Sequence, residues 1–222
     1  MVAINPPPPD ATRPLNPRVH IVPSGTTLVR LFDPTDGYRP TALSFRRYGP
    51  KKRFDHHRPE PITGGSQDDP DRGIYYGAPP HNGSTGLSSC MMEVFGDTGI
   101  VDLGEWQVAA PVVRRSLRLL DLQGEAAMTA GTVAGISACE HRLSQSWSRY
   151  FYEHPEIYND IDGILYPNAH NHEVVLALYE RAEHDLACAS RQIIPLRHLE
   201  LRPTVLRIMV DNSLVFHSLR GN

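Results

Sequence analysis

The sequence predicts an α+β fold, built of compact mixed sheet or sheets with flanking helices. Three observations carry that prediction. Short apolar strand segments are scattered along the chain, two segments place apolar residues at helical spacing, and the two kinds never settle into regular strand–helix–strand alternation. At 222 residues, 40% of them hydrophobic, the chain is long enough to bury one sizeable core.

Taken in order, residues 1–23 hold seven of the 20 prolines and show almost no periodicity. They predict a proline-rich extended arm of coil or polyproline character, either a plain leader or a strap around the domain or a partner. A single domain then spans 24–222, with a C-terminal extension from about residue 190. Residues 26–32 form a β-rich run ended by Asp33-Pro34, and 42–46 are a second short strand segment. The stretch 49–71 is charged and rich in Gly, Pro and His, which predicts loop. Residues 73–77 read as a compact strand. Leu87, Met91, Val94 and Phe95 make one helical stripe across 86–96. Residues 108–110 and 112–122 suggest further strands. Cys139, Leu143, Trp147, Tyr150 and Phe151 recur at i, i+4, i+8, i+11 and i+12, the clearest helix in the chain. Residues 163–166 and 174–179 are apolar strands joined by a loop at 167–172. From His198 onward, strand-like and helical patterns mix without a decision.

A formal net charge of −3 argues against general binding to nucleic acid or to an anionic membrane. Twenty of the 22 basic residues are Arg, which suits bidentate contact with phosphates, although genome composition produces the same bias. The three cysteines, Cys90, Cys139 and Cys188, are odd in number and widely spaced, so neither a disulfide framework nor a zinc knuckle is indicated. No secretory leader or bilayer-spanning run is evident, and the expected location is cytoplasmic.

Four segments hold more polar and aromatic function than a core requires. Strand alternation puts Arg30 on one face with Leu28 and Phe32, where a cation needs either a buried ion pair or a ligand anion. Residues 46–55 carry Arg46, Arg47, Lys51, Lys52 and Arg53 on a Gly/Pro loop, which is either a solvated basic loop or a diphosphate clamp. Tyr75 on its strand is followed by Glu93, which lies off the apolar helical stripe and faces water or a cleft. The fourth segment is the block Asp162-Gly-Ile-Leu-Tyr-Pro-Asn168-Ala, running into Val174-Val-Leu-Ala-Leu-Tyr179.

In this order, these segments resemble the RES family, named for its Arg, Glu and Ser positions. The likeness extends from about Leu28 to Tyr179. It implies an ADP-ribosyltransferase-like fold and a toxin of a two-gene toxin–antitoxin system that degrades NAD+ by hydrolysis or phosphorolysis, or transfers ADP-ribose to a protein. By that resemblance Glu93 and Arg30 are the catalytic residues, and Arg53, Arg47, Tyr75 and Asn168 bind the NAD+. Asn168 stands where the family has Ser, and it keeps the ability to donate and accept hydrogen bonds. The loops 55–72 and 78–87 are longer than the family pattern and suit lids over a pocket. The implied partners are NAD+, as substrate with no further cofactor or metal, and a cognate Xre-type antitoxin; a homo-oligomer is left open.

Two rival readings stand beside this one. The strings Asp55-His56-His57 and His170-Asn-His172-Glu173 are rich in metal-ligand types and admit a metal-dependent hydrolase or nuclease, though surface-loop histidines are the reading they favour. A degenerate RES fold kept as a binding module is the other, with Asn168 as its support.

Overall fold

The computed structural model describes residues 4–12 and 14–217, so the first three residues and the last five of the expected C-terminal extension lie outside the described residues. In chain order, β1 (Val19–Val22), β2 (Arg30–Phe32), β3 (Tyr48–Gly49), β4 (Gln67–Asp68) and β5 (Ile74–Gly77) lead to helix α1 (Leu87–Phe95). Strands β6 (Ile100–Val101), β7 (Gln107–Ala109), β8 (Val112–Val113) and β9 (Leu117–Asp121) follow, and then α2 (Glu125–Thr129), α3 (His141–Glu153) and α4 (Pro155–Tyr158). The hairpin of β10 (Gly163–Pro167) and β11 (Val174–Tyr179) precedes β12 (Leu186–Ala187), β13 (Ile193–Pro195), α5 (Arg202–Asp211) and β14 (Val215–Phe216). The class is α+β.

The main sheet has the order β1-β9-β10-β11-β5 and is mixed: β9 and β10 run parallel, and the other neighbours are antiparallel. Both faces of its centre are covered, which is why β10 and β11 are nearly continuous apolar runs rather than alternating ones. All six residues of β11 are buried. One face, with Val175, Ala177 and Tyr179, packs under α1 and α3; the other, with Leu176 and Leu178, packs with Leu28, Phe45 and Tyr75. A second, antiparallel sheet of order β13-β7-β2 carries Arg30 at its edge strand. Among the described residues no helix is long and apolar enough to cross a membrane.

Both helices expected from apolar spacing are present. Helix α1 starts after Gly86, whose φ of +92° and close approach to the Ala78 carbonyl leave no room for a side chain. Helix α3 starts at His141; Cys139 belongs to the turn before it. Three expectations are corrected. Residues 42–46 are a turn with a single bridge from Arg46 to Ile74, because the Thr41 and Ser44 side chains hydrogen-bond within the segment and compete with strand pairing. Residues 112–122 split into β8 and β9 where Arg115 turns aside to pair with Asp162 and Asp185. The proline-rich arm contains a strand, since Val19–Val22 extend the main sheet along β9. Earlier in the arm, the Asn5 carbonyl accepts the Trp147 indole N–H, so the arm does lie against the domain. The unsettled tail resolves into α5 and the two-residue β14.

Candidate active site

Helix α1 turns its apolar side and both serines of its first turn inward, and Glu93 is left on its outer flank. The Glu93 side chain is open to water, with protein packed around its base. That crowding pushes its carboxyl up to about 7, against the opposing pull of Arg53 and Lys52, while Asp97 adds to the rise. Among the described residues Glu93 has neither a hydrogen bond nor an ion pair.

The cations opposite it are positioned by a carboxylate buried beneath them. Asp55 is fully buried and bonds Arg46 through both oxygens at 2.8 and 2.7 Å. It also accepts the Tyr76 hydroxyl at 2.6 Å and the backbone N–H groups of Lys51 and Lys52 at 2.5 and 2.9 Å. Burial alone would raise its pKa; Arg46 and these donors outweigh that and hold the carboxyl below its usual range. From the other side α3 grips the same turn. Ser144 Oγ donates to the Arg53 carbonyl at 2.6 Å, Gln145 Nε2 to the Lys52 carbonyl at 3.0 Å, and Ser148 Oγ to the Phe54 carbonyl at 2.7 Å. The Arg53 guanidinium donates one bond, to the Cys139 carbonyl, and has no carboxylate within 4.0 Å among the described residues. The backbone of 52–54 is thus clamped, while the Arg53 and Lys52 side chains keep free donors.

Of the expected site residues, Arg53 is near enough to Glu93 to act on its carboxyl. Arg30 is buried, donates to the Ser44 carbonyl at 2.8 Å, and lies 4.3 Å from the centre of the Tyr75 ring. Burial pulls its pKa down, and its contact with Tyr75 opposes this. No carboxylate meets it among the described residues, so a buried ion pair does not account for it. Cys90, one turn before Glu93, senses both Arg30 and Glu93, and burial first of all raises its thiol to about 12.

The other three expected residues are placed as follows. Tyr75 is 1% exposed, its hydroxyl is bound to the Ala42 carbonyl and its face is covered by Arg30. Arg47 is engaged by Glu183 at 2.5 Å and the Pro70 carbonyl at 2.6 Å. Asn168 is fully buried; its Oδ1 accepts the N–H groups of His170 and Asn171, and its Nδ2 donates to Asn171. It organises the loop between β10 and β11.

Sequence reasoning passed over Asp55 as an organiser, Tyr76 as its partner, and Tyr166. The Tyr166 hydroxyl is buried without a hydrogen-bond partner and lies within the fields of Glu93 and Arg53. The signal for it was present, since Tyr166 belongs to the block that carries the family likeness. The metal reading finds no support: among the described residues no three His, Cys, Asp or Glu side chains gather as a cation site. His56 and His57 are not surface histidines. They are fully buried, with Nε2 atoms 2.9 Å from Glu180 and 3.0 Å from the Arg46 carbonyl.

No curated protein matches the sequence. Among solved structures, the M. tuberculosis MbcT–MbcA toxin–antitoxin complex contains a chain similar to this one, with 17% identity and a TM-score of 0.47 over 82% of this chain and 92% of that one. The family model described as the RES domain matches residues 28–202, most of the chain. The chain therefore belongs to the RES-domain family.

Proposed function

We propose that this chain is a toxin-type enzyme that cleaves the nicotinamide–ribose bond of NAD+, and that a cognate antitoxin protein restrains it. Membership of the RES family supports the substrate class. The observation that carries the chemistry is a water-exposed carboxylate, Glu93, with no ion-pair partner among the described residues and within the electrostatic reach of Arg53 and Lys52, which have no carboxylate partner there either.

The residue types suit the reaction. Arg53 and Lys52 offer N–H donors to the diphosphate, with Arg53 able to bind two oxygens at once. When the C1′–N bond breaks, its electron pair goes to the ring nitrogen and nicotinamide leaves neutral, so no strong general acid is needed. The ribose is left with oxocarbenium-like positive charge, which a nearby Glu93 carboxylate stabilises. Water or phosphate then adds to C1′ and gives up a proton.

Purified protein incubated with NAD+ and no added metal should release nicotinamide, and comparison with and without phosphate separates phosphorolysis from hydrolysis. Glu93→Gln should lower the rate by about 10²-fold or more. Wild-type protein that leaves NAD+ intact under both conditions overturns the proposal.

A further inference from the structure

Helix α5 begins where the family match ends, and it has two apolar faces. Val205, Ile208 and Met209 are buried against the domain. At about 100° per residue, Pro203, Leu206 and Val210 fall within one narrow arc on the opposite side, and Leu199 stands in the turn just before the helix. Leu199 is 77% exposed, Leu206 40% and Val210 79%, so the second stripe faces water along its length. Soluble monomers carry single exposed apolar residues freely, but an aligned stripe on a helix is a contact surface.

The charges on α5 say what covers it. Helices prefer acids in the first turn and bases in the last, because the peptide dipoles leave positive charge at the N-terminus. Helix α5 has neither; it opens with Arg202 and ends with Asp211. Arg207 and Asp211 lie one turn apart on the same flank of the stripe, in the less favourable order for an intrahelical pair. Neither has an ion-pair partner within 4.0 Å among the described residues.

From this arrangement we propose that the outer face of α5 pairs antiparallel with α5 of a second copy of the chain. With the two-fold axis level with residues 208–210, Arg207 of each copy stands opposite Asp211 of the other, and the contact is made twice. Each helix then meets a neighbour of reversed dipole, which relieves the mismatch at both ends. A stripe flanked by one cation and one anion completes itself about a two-fold axis; a uniformly acidic or basic partner, or a membrane surface, would match only half of it.

Sedimentation of the full chain tests this independently of any activity. Between about 1 and 100 μM, a range that reports micromolar dissociation constants, the wild-type mass should rise from 24.8 kDa toward twice that value. Leu206→Asp with Val210→Asp should stay at the single-chain mass with an unchanged circular dichroism spectrum. Arg207→Asp alone should weaken the dimer about tenfold, and adding Asp211→Arg should restore it, which a merely damaged fold would not do. A wild-type chain that sediments as one copy throughout overturns the proposal. So does a dimer untouched by the two aspartates, or a charge swap that fails to restore pairing.

Discussion

Replacing Glu93 by Gln should make the protein more stable at alkaline pH while it loses activity. The carboxyl ordinarily titrates at 4.5 and is held to about 7 in the fold, first by the crowding of protein around it. Its folded pKa is therefore raised. As pH climbs from 4 toward 7 the unfolded chain releases this proton and the folded chain keeps it, so stability is lost with rising pH and the deficit is complete above about 7. A fully dry carboxyl so displaced would cost about 3 kcal/mol at 1.36 kcal/mol per pH unit. Glu93 is open to water, which screens the penalty to on the order of 1 kcal/mol. Glutamine is nearly isosteric and uncharged, so it removes that penalty. Urea unfolding of wild type and Glu93→Gln should differ by on the order of 1 kcal/mol in favour of the variant at pH 8, and by almost nothing at pH 4. A variant no more stable than wild type at pH 8, or one equally stabilised at both pH values, refutes the account of Glu93 as an uncompensated cleft carboxylate.

Two further outcomes test the frame around the site. Asp55→Asn should destabilise the fold by about 3–5 kcal/mol at neutral pH by leaving Arg46 without its buried counter-ion, which lowers the melting temperature by roughly 6–20 °C in a chain of this size. Because the folded Asp55 carboxyl is depressed, its contribution is present above about pH 4 and fades as pH falls further, so the variant's deficit should shrink in acid; a neutral-pH loss under about 1 kcal/mol contradicts its organising role. Asn168→Ala should cost about 1–3 kcal/mol as the loop loses two backbone bonds, with little change in any NAD+ cleavage rate. Intact stability with abolished cleavage would instead place Asn168 in contact with the substrate.

Local periodicity made α1, α3, β5, β10 and β11 legible, because each buries a face whose spacing is written in consecutive residues. Strand β1 was hidden because its partner, β9, lies almost a hundred residues away and pairing leaves little mark on a proline-rich arm. The inward face of Arg30 was also legible from alternation with Leu28, but its company was not. A buried guanidinium suggests an anion, and the fold instead supplies the Ser44 carbonyl and the Tyr75 ring. Ser144, Gln145 and Ser148 fall outside the apolar stripe of α3 and look like solvent-facing residues in sequence. In the structure they are buried, gripping the backbone of 52–54.

The contrast between satisfied and unsatisfied groups locates the site more sharply than residue type does. Five basic side chains share the segment 46–55, and they have different fates. Arg46 is locked to Asp55, Arg47 to Glu183, and Lys51 to the Tyr38 hydroxyl. Arg53 and Lys52 remain with free donors, on a backbone stretch held from below by Asp55 and from the side by α3. A flexible basic loop would lose much of its attraction for an anion to the entropy of ordering it; here that ordering is already complete before a ligand arrives. Glu93 is a carboxylate on which this clamped pair acts without forming an ion pair. If the pair closed onto it, the charges would cancel and the cleft would be a structural ion pair. Left unpaired, both signs stay available, which the proposed reaction would use to hold a diphosphate at one end and a developing ribosyl cation at the other.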